Sequence, residues 1–289
     1  MWLQNFLFFL IIALSVAQQP SRVTGDSLGC GILNRVTNTS TPTTFHVPWH
    51  VGIFTNATEH TGVTHEPATV IKCGGTIINE TTIATNARCM WSDKYGHIGN
   101  PYDYFVGIGP KQDLLAIRRI HVLQGYEPSG DYSKSIALLE LRDPVRFEEN
   151  NVEPICVDFN ETDHRSSNWT GFVVDVREEH PQQILTFTAL NVLDVPQEQC
   201  TQILPGDISR DKFCVRPVQK NTAACNEDDE RRSGSGLFDA KVFNGTQRFF
   251  LRGVVTFSSV SRGDASGRLC SGVIVATRAS NYATFIRGY

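Results

Sequence analysis

A chain of 289 residues with 40% hydrophobic side chains can bury a large core, and it carries no repeat, low-complexity stretch or linker, so one enzyme-sized domain is expected. Its formal net charge of -4 leaves no basic footprint for nucleic acid or anionic lipid, and neither is expected as a partner.

The N-terminus holds an apolar run, Phe6 to Val16, with the small residues Ser15 and Ala17 at the spacing a signal peptidase accepts. No Lys or Arg precedes the run, which is too short to span a bilayer, and no later stretch is long enough. Residues 1–17 are therefore expected to be a cleaved secretory leader, leaving a soluble extracellular chain without a membrane anchor. Six Asn-x-Ser/Thr sequons, at Asn38, Asn56, Asn79, Asn160, Asn168 and Asn244, fit that compartment. Roughly half or more of them are expected to carry glycan and to face solvent.

Further along, short runs rich in Val, Ile, Phe and Thr alternate with Gly, Pro, Asn and Asp clusters. Phe172–Val174, Leu185–Leu190 and Phe249–Phe257 read as buried strands of an all-β protein. Between Ser280 and Arg287, Tyr282 and Ile286 stand four apart, the spacing of one terminal helix. Eight cysteines allow about 105 pairings, so spacing alone leaves the connectivity open.

The segment Cys73–Cys89, CGGTIINETTIATNARC, resembles the CGGSLI…TAAHC block of the trypsin/chymotrypsin serine proteases, peptidase family S1. The likeness continues through VPWHVGIF (Val47–Phe54), SIALLEL (Ser135–Leu141), VEPICV (Val152–Val157), SGSGLF (Ser233–Phe238), LRGVVTF (Leu251–Phe257) and TRASNYATFI (Thr277–Ile286), in the family's order. The GLF and FFLRGVVTF stretches are most similar to arthropod clip-type and modular members. The resemblance implies two packed six-stranded antiparallel β-barrels with the active cleft between them and a C-terminal helix, over residues 36–289. It also implies the disulfides Cys73–Cys89, Cys200–Cys214, Cys225–Cys270 and Cys30–Cys156, the last tethering an N-terminal segment, residues 18–35, to the body. No thiol is then left for reactivity or for a metal.

The same resemblance assigns the catalytic positions, and most of the required side chains are missing. Serine hydrolysis needs a neutral imidazole, a carboxylate to orient it and donors for the oxyanion. Arg88 stands where the family has histidine, and a guanidinium has no lone pair with which to accept a proton. Ser135 replaces the aspartate. Asp131, four residues earlier, is more simply read as a solvated loop residue. The nucleophile position survives as Ser233, inside Arg231-Arg232-Ser233-Gly234-Ser235; a shifted register would use Ser235 instead. Arg231 replaces a glycine of the oxyanion hole, and Arg232 replaces the aspartate that receives the new α-amino group after activation cleavage, here expected at Arg35–Val36. That cut is therefore expected not to create a working pocket.

Specificity determinants are altered as well. Ala223 stands at the pocket floor, Phe257 and Ser258 replace the wall Trp-Gly, and Ile274 falls on a glycine, where a branched side chain should fill the space. The run Asn226–Arg232 is longer than in the family. It reads either as a solvated charged loop or as a set of carboxylates, Glu227 to Glu230, neutralising Arg88, Arg231 and Arg232. His46, His50, His60, His65, His97, His121, His164 and His180 all lie outside the triad blocks, and the pair His60 and His65 reads as surface residues, so no metal and no cofactor are expected.

These features suggest a secreted, non-catalytic serine protease homologue that works by binding extracellular proteins, proteases or their inhibitors among them. The alternative is an atypical or very weak endopeptidase using Ser233, and a structural glycoprotein with no specific partner is a third reading.

Overall fold

β-branched and aromatic residues punctuated by turn formers dictate strands here. The computed structural model describes residues 29–33, 47–56, 69–109, 111–128, 132–157, 170–179, 184–203, 210–218, 232–243, 245–261 and 271–289. In the first half the strands are β1 (His50–Asn56), β2 (Thr69–Ile77), β3 (Thr82–Asn86), β4 (Trp91–Ser92), β5 (His97–Ile98), β6 (Tyr104–Ile108), β7 (Asp113–Val122) and β8 (Ile136–Leu141). The second half contributes β9 (Thr170–Glu179), β10 (Ile184–Val195), β11 (Lys212–Pro217), β12 (Gly236–Phe243), β13 (Thr246–Ser261) and β14 (Ser271–Arg278).

Two closed antiparallel barrels result, in the orders β1-β2-β3-β8-β7-β6 and β10-β11-β14-β13-β12-β9, with β4 and β5 forming a separate short hairpin. Closure pairs every strand edge within each of the two barrels. The three apolar runs expected as strands fall within β9, β10 and β13. The terminal helix is present as a 3-10 turn, Ala279–Tyr282, continuing into an α-helix, Ala283–Arg287, that buries Ile286.

The barrels meet over aromatic rings. Trp49, fully buried just ahead of β1, lies 5.6 Å from Phe238 and 5.5 Å from Phe249 of the second barrel, and Phe172 packs 5.3 Å from Phe238. Such offset and edge contacts add to the burial of the rings themselves. Backbone bonds cross the same seam, with the Gly74 N–H donating to the Ser233 carbonyl at 2.9 Å.

The structure contains the bridges Cys30–Cys156, Cys73–Cys89 and Cys200–Cys214. Cys225 and Cys270 lie outside the described residues. Through Cys30 the segment 29–33 docks on β13, where the Phe249 N–H donates to the Gly31 carbonyl at 2.9 Å. Among the described residues two ion pairs are buried in the second barrel, Lys212 with Asp211 at 3.1 Å and Arg252 with Asp239 at 3.3 Å. Asp211 also accepts from the Tyr282 hydroxyl, which fixes the terminal helix to the barrel. Among the described residues no helix is long and apolar enough to cross a membrane.

Candidate functional site

β3 reads TIATN and is buried along its whole length, because one face fills the first barrel and the other meets the second. Its last residue, Asn86, caps the 3-10 turn Ala87–Met90, and its side-chain oxygen accepts from the Arg88 N–H at 3.0 Å. Asparagine suits such a cap because its short amide reaches the exposed N–H groups of the first turn. The amide nitrogen then faces the second barrel. It donates to Ser233 Oγ at 2.8 Å and to the Thr256 carbonyl at 2.9 Å, so both of its hydrogens and its oxygen are engaged.

Ser233 is held in turn. Its hydroxyl accepts from Asn86 and donates to the Thr256 carbonyl at 3.1 Å, with the Cys89 sulfur 3.7 Å away. The Ser233 hydroxyl hydrogen is therefore directed at a backbone carbonyl, which is not a base. The following residue, Gly234, has φ +83 and donates to the Val255 carbonyl at 2.8 Å. Ser235 is fully buried, away from the cleft, and its hydroxyl has no hydrogen-bond partner among the described residues.

Arg88, Ser135 and Ser233 line one cleft of about 610 Å³, together with Asn86 and both cysteines of the Cys73–Cys89 bridge. Arg88 points outward and forms a two-pronged pair with Asp93, 3.0 Å from each carboxylate oxygen to its nearest guanidinium nitrogen. Both partners are exposed, at 47% and 76%, so the pair contributes only about 0–1 kcal/mol. The carboxylate that neutralises Arg88 is thus Asp93, at the tip of the β4–β5 hairpin. Glu227 to Glu230, expected in that role, lie outside the described residues, as do Asp131, Arg231, Ala223, Arg35 and Val36.

Ser135 is buried ahead of β8, its hydroxyl donating to the Tyr132 carbonyl and its own carbonyl accepting from the Ala87 N–H at 3.2 Å. It supplies no negative charge. Tyr132 lies with its ring 4.9 Å from that of Phe257, forming one wall of the cleft. Ser258 accepts from the guanidinium of buried Arg232 at 3.3 Å. Ile274, 2% exposed, packs inside the second barrel with Phe213, Val215, Val255 and Ala276 and is not among the residues lining the cleft.

His50, His97 and His121 are the histidines among the described residues, and none lines the cleft. His50 is buried, His97 stacks on Tyr95, and His121 pairs with Glu140 at 3.2 Å. No three His, Cys, Asp or Glu side chains gather as metal ligands among the described residues. Of the sequons, Asn79 is half-buried in the β2–β3 turn, accepting from the Thr81 N–H at 2.9 Å and donating to the Tyr289 carbonyl oxygen at 3.3 Å. Asn56 ends β1; Asn38, Asn160, Asn168 and Asn244 lie outside the described residues.

Sequence reasoning missed Asn86 and Asp93. The signal for Asn86 is in the motif: TAAHC has alanine at that position and this chain has TNARC.

Near the hairpin, burial pushes the Tyr126 hydroxyl up to about 12, with Arg88 acting against the rise and Asp93 adding to it. A raised phenol value means that folding favours the neutral form. The stabilisation is present below the unfolded value near 10 and is lost as pH climbs through about 12. Thermal midpoints measured from pH 9 to 12 should therefore fall more steeply for the unaltered chain than for Tyr126→Phe. Parallel curves would show that this phenol is not the group responsible.

A pair of closed antiparallel barrels with a serine on the cleft between them is the trypsin-like fold. The chain matches the Trypsin family over residues 36–286, and it belongs to that family. It is 28% identical over 314 residues to the clotting factor G beta subunit of Tachypleus tridentatus, covering 97% of this chain and 92% of that protein. To clotting factor C of the same species it is 25% identical over 234 residues, or 74% of this chain but 22% of that protein. Transmembrane protease serine 11E of Mus musculus is 29% identical over 198 residues, covering 64% of this chain and 42% of that protein.

Proposed function

We propose that this chain is a secreted serine protease homologue that has lost catalysis and acts by binding other extracellular proteins through the remodelled cleft. The observation that carries the reading is the double commitment of the Ser233 hydroxyl, to the Asn86 amide on one side and the Thr256 carbonyl on the other. Arg88, Ser135 and Ser233 are taken as the triad-equivalent positions on the strength of the family blocks and of their common cleft. With a permanent cation for the imidazole and a neutral serine for the orienting carboxylate, neither position offers a group that accepts the hydroxyl proton. Loss of single triad members in comparable proteases costs about 10⁴–10⁶ in turnover, and two are altered here.

Residues 1–17 are read as a cleaved leader and residues 18–35 as a segment linked through Cys30. A regulatory place in an extracellular protease cascade rests on the relatives named as clotting factors. Buried Arg232 beside Ser258 supports the reading that cleavage at Arg35–Val36 switches on no pocket, since a new α-amino group would meet a cation there.

A serine-directed fluorophosphonate tests the reading. No labelling of the purified folded chain at millimolar reagent is expected. Labelling at Ser233, abolished by Ser233→Ala and accompanied by peptide hydrolysis, would establish the weak-endopeptidase alternative instead.

A further inference from the structure

The sequon Asn79-Glu80-Thr81 is built into a long-range contact. Its Asn79 amide oxygen accepts from the Thr81 N–H at 2.9 Å and from the Thr81 hydroxyl at 3.3 Å, an Asx turn between β2 and β3. The amide nitrogen makes the distant contact, donating to the Tyr289 carbonyl oxygen at 3.3 Å. Thr82 Oγ1, on β3, donates to the same carbonyl at 3.4 Å. The Tyr289 ring lies on His121 of β7, with centroids 4.1 Å apart, and 5.8 Å from Phe285 of the terminal helix. Just before it, the Gly288 N–H donates to the Thr284 and Phe285 carbonyls at 3.2 and 3.3 Å. Asn79, Thr82 and His121 together seat the last turn on the first barrel.

The atom that holds Tyr289 is the atom that N-glycosylation modifies. In that transfer Asn79 Nδ2 attacks the first carbon of an oligosaccharide carried on a lipid diphosphate. The nitrogen–carbon bond forms, the carbon–oxygen bond to the diphosphate breaks, and one amide proton passes to a base of the transferring enzyme. The new substituent is a pyranose ring branched at its first carbon, placed on a half-buried side chain whose nitrogen already has a neighbour at 3.3 Å. Order of synthesis favours the sugar. Tyr289 follows Asn79 by 210 positions, about 10–40 s of synthesis at ordinary rates, so the sequon is open to transfer before its partner exists.

We propose that Asn79 is a glycan acceptor and that its sugar takes the place of Tyr289, so that chains with and without it differ in whether the last turn is seated on the first barrel. This rests on the secretory reading and adds to it a structural consequence at one site. Without the sugar, Tyr289 covers His121 beside the Glu140 carboxylate; with it, that ring contact and both bonds to the Tyr289 carbonyl are lost. Burial of Ile286 and the Tyr282–Asp211 contact hold the helix itself, so the change is confined to its end.

The full chain, made in a secretory host that builds high-mannose glycans and trimmed with an endoglycosidase to a single N-acetylglucosamine per occupied asparagine, is read in two ways. Peptide mass spectrometry gives the occupancy of every sequon, and amide hydrogen exchange reports on residues 283–289. Sugar is expected at Asn79. Thr81→Ala leaves Asn79 and its bond from the residue 81 N–H in place but destroys the acceptor triplet, and its 283–289 segment is expected to exchange at least about tenfold more slowly than that of the sugar-bearing chain. Thr81→Ser, still an acceptor, should match the unaltered chain, as should Thr162→Ala, which empties the Asn160 sequon instead. An empty Asn79 beside occupied sequons elsewhere, equal exchange with and without its sugar, or the same slowing in Thr162→Ala would overturn the proposal and leave the secretory reading standing. Absence of sugar from all the sequons would end both.

Discussion

Arg88→His combined with Ser135→Asp is expected to hydrolyse a peptide ester no faster than the unaltered chain. The two changes return an imidazole and a carboxylate to the positions that the family blocks assign them. They do nothing for Ser233, whose hydroxyl still points its hydrogen at the Thr256 carbonyl 3.1 Å away and still accepts from Asn86 at 2.8 Å. A general base works only on a hydrogen within its reach, and here a fixed backbone acceptor already holds it. Adding Asn86→Ala removes the amide that pins the hydroxyl in this orientation. The triple variant is expected to exceed the double variant by about 10²-fold or more in ester turnover, the lower range for a positioned acid–base group. Burst kinetics with a p-nitrophenyl ester would measure it. Comparable activity with Asn86 intact would show that the amide is no obstacle.

A second large effect concerns folding. Gly234→Ala is expected to destabilise the chain by about 3–5 kcal/mol, because two independent penalties coincide. The residue sits at φ +83, a left-handed conformation that side chains resist, and an added Cβ would lie 2.3 Å from Thr85 Oγ1 and 2.4 Å from the Gly74 carbonyl oxygen. Neither neighbour can yield: Thr85 Oγ1 donates to that same carbonyl at 2.8 Å, inside fully buried β3. For a domain of this size the expected drop in thermal midpoint is about 6–20 °C. Gly96→Ala is the matched control, with positive φ but nothing near the added carbon, and should fall by far less. Equal shifts would mean that backbone conformation alone, and not the crowding between barrels, sets the cost.

The architecture was legible in the residues because its signals are local. Val, Ile and Phe runs bounded by turn formers specify strands, and the family blocks specify their order. The pairings Cys73–Cys89, Cys200–Cys214 and Cys30–Cys156 were implied by the family resemblance, and the structure contains all three. At the cleft, the family blocks named Arg88, Ser135 and Ser233, and the three line one recess. Asn86 escaped because its role exists only when β3 meets partners 147 and 170 positions further on, at Ser233 and Thr256. A polar residue within an apolar motif was visible; what it would touch was not. Asp93 was overlooked for a different reason. It lies five residues after Arg88, across the end of the 3-10 turn Ala87–Met90 and the two residues of β4, a spacing that no regular helix or strand pattern flags as a pair.

The bridge from Cys30 to Cys156 spans 126 positions, and every bond within that interval, the one after Arg35 included, lies inside a covalent loop. A protease that severed it would liberate no fragment. The stretch from Cys30 to the cut would stay attached through Cys156 until a reductant opened the loop.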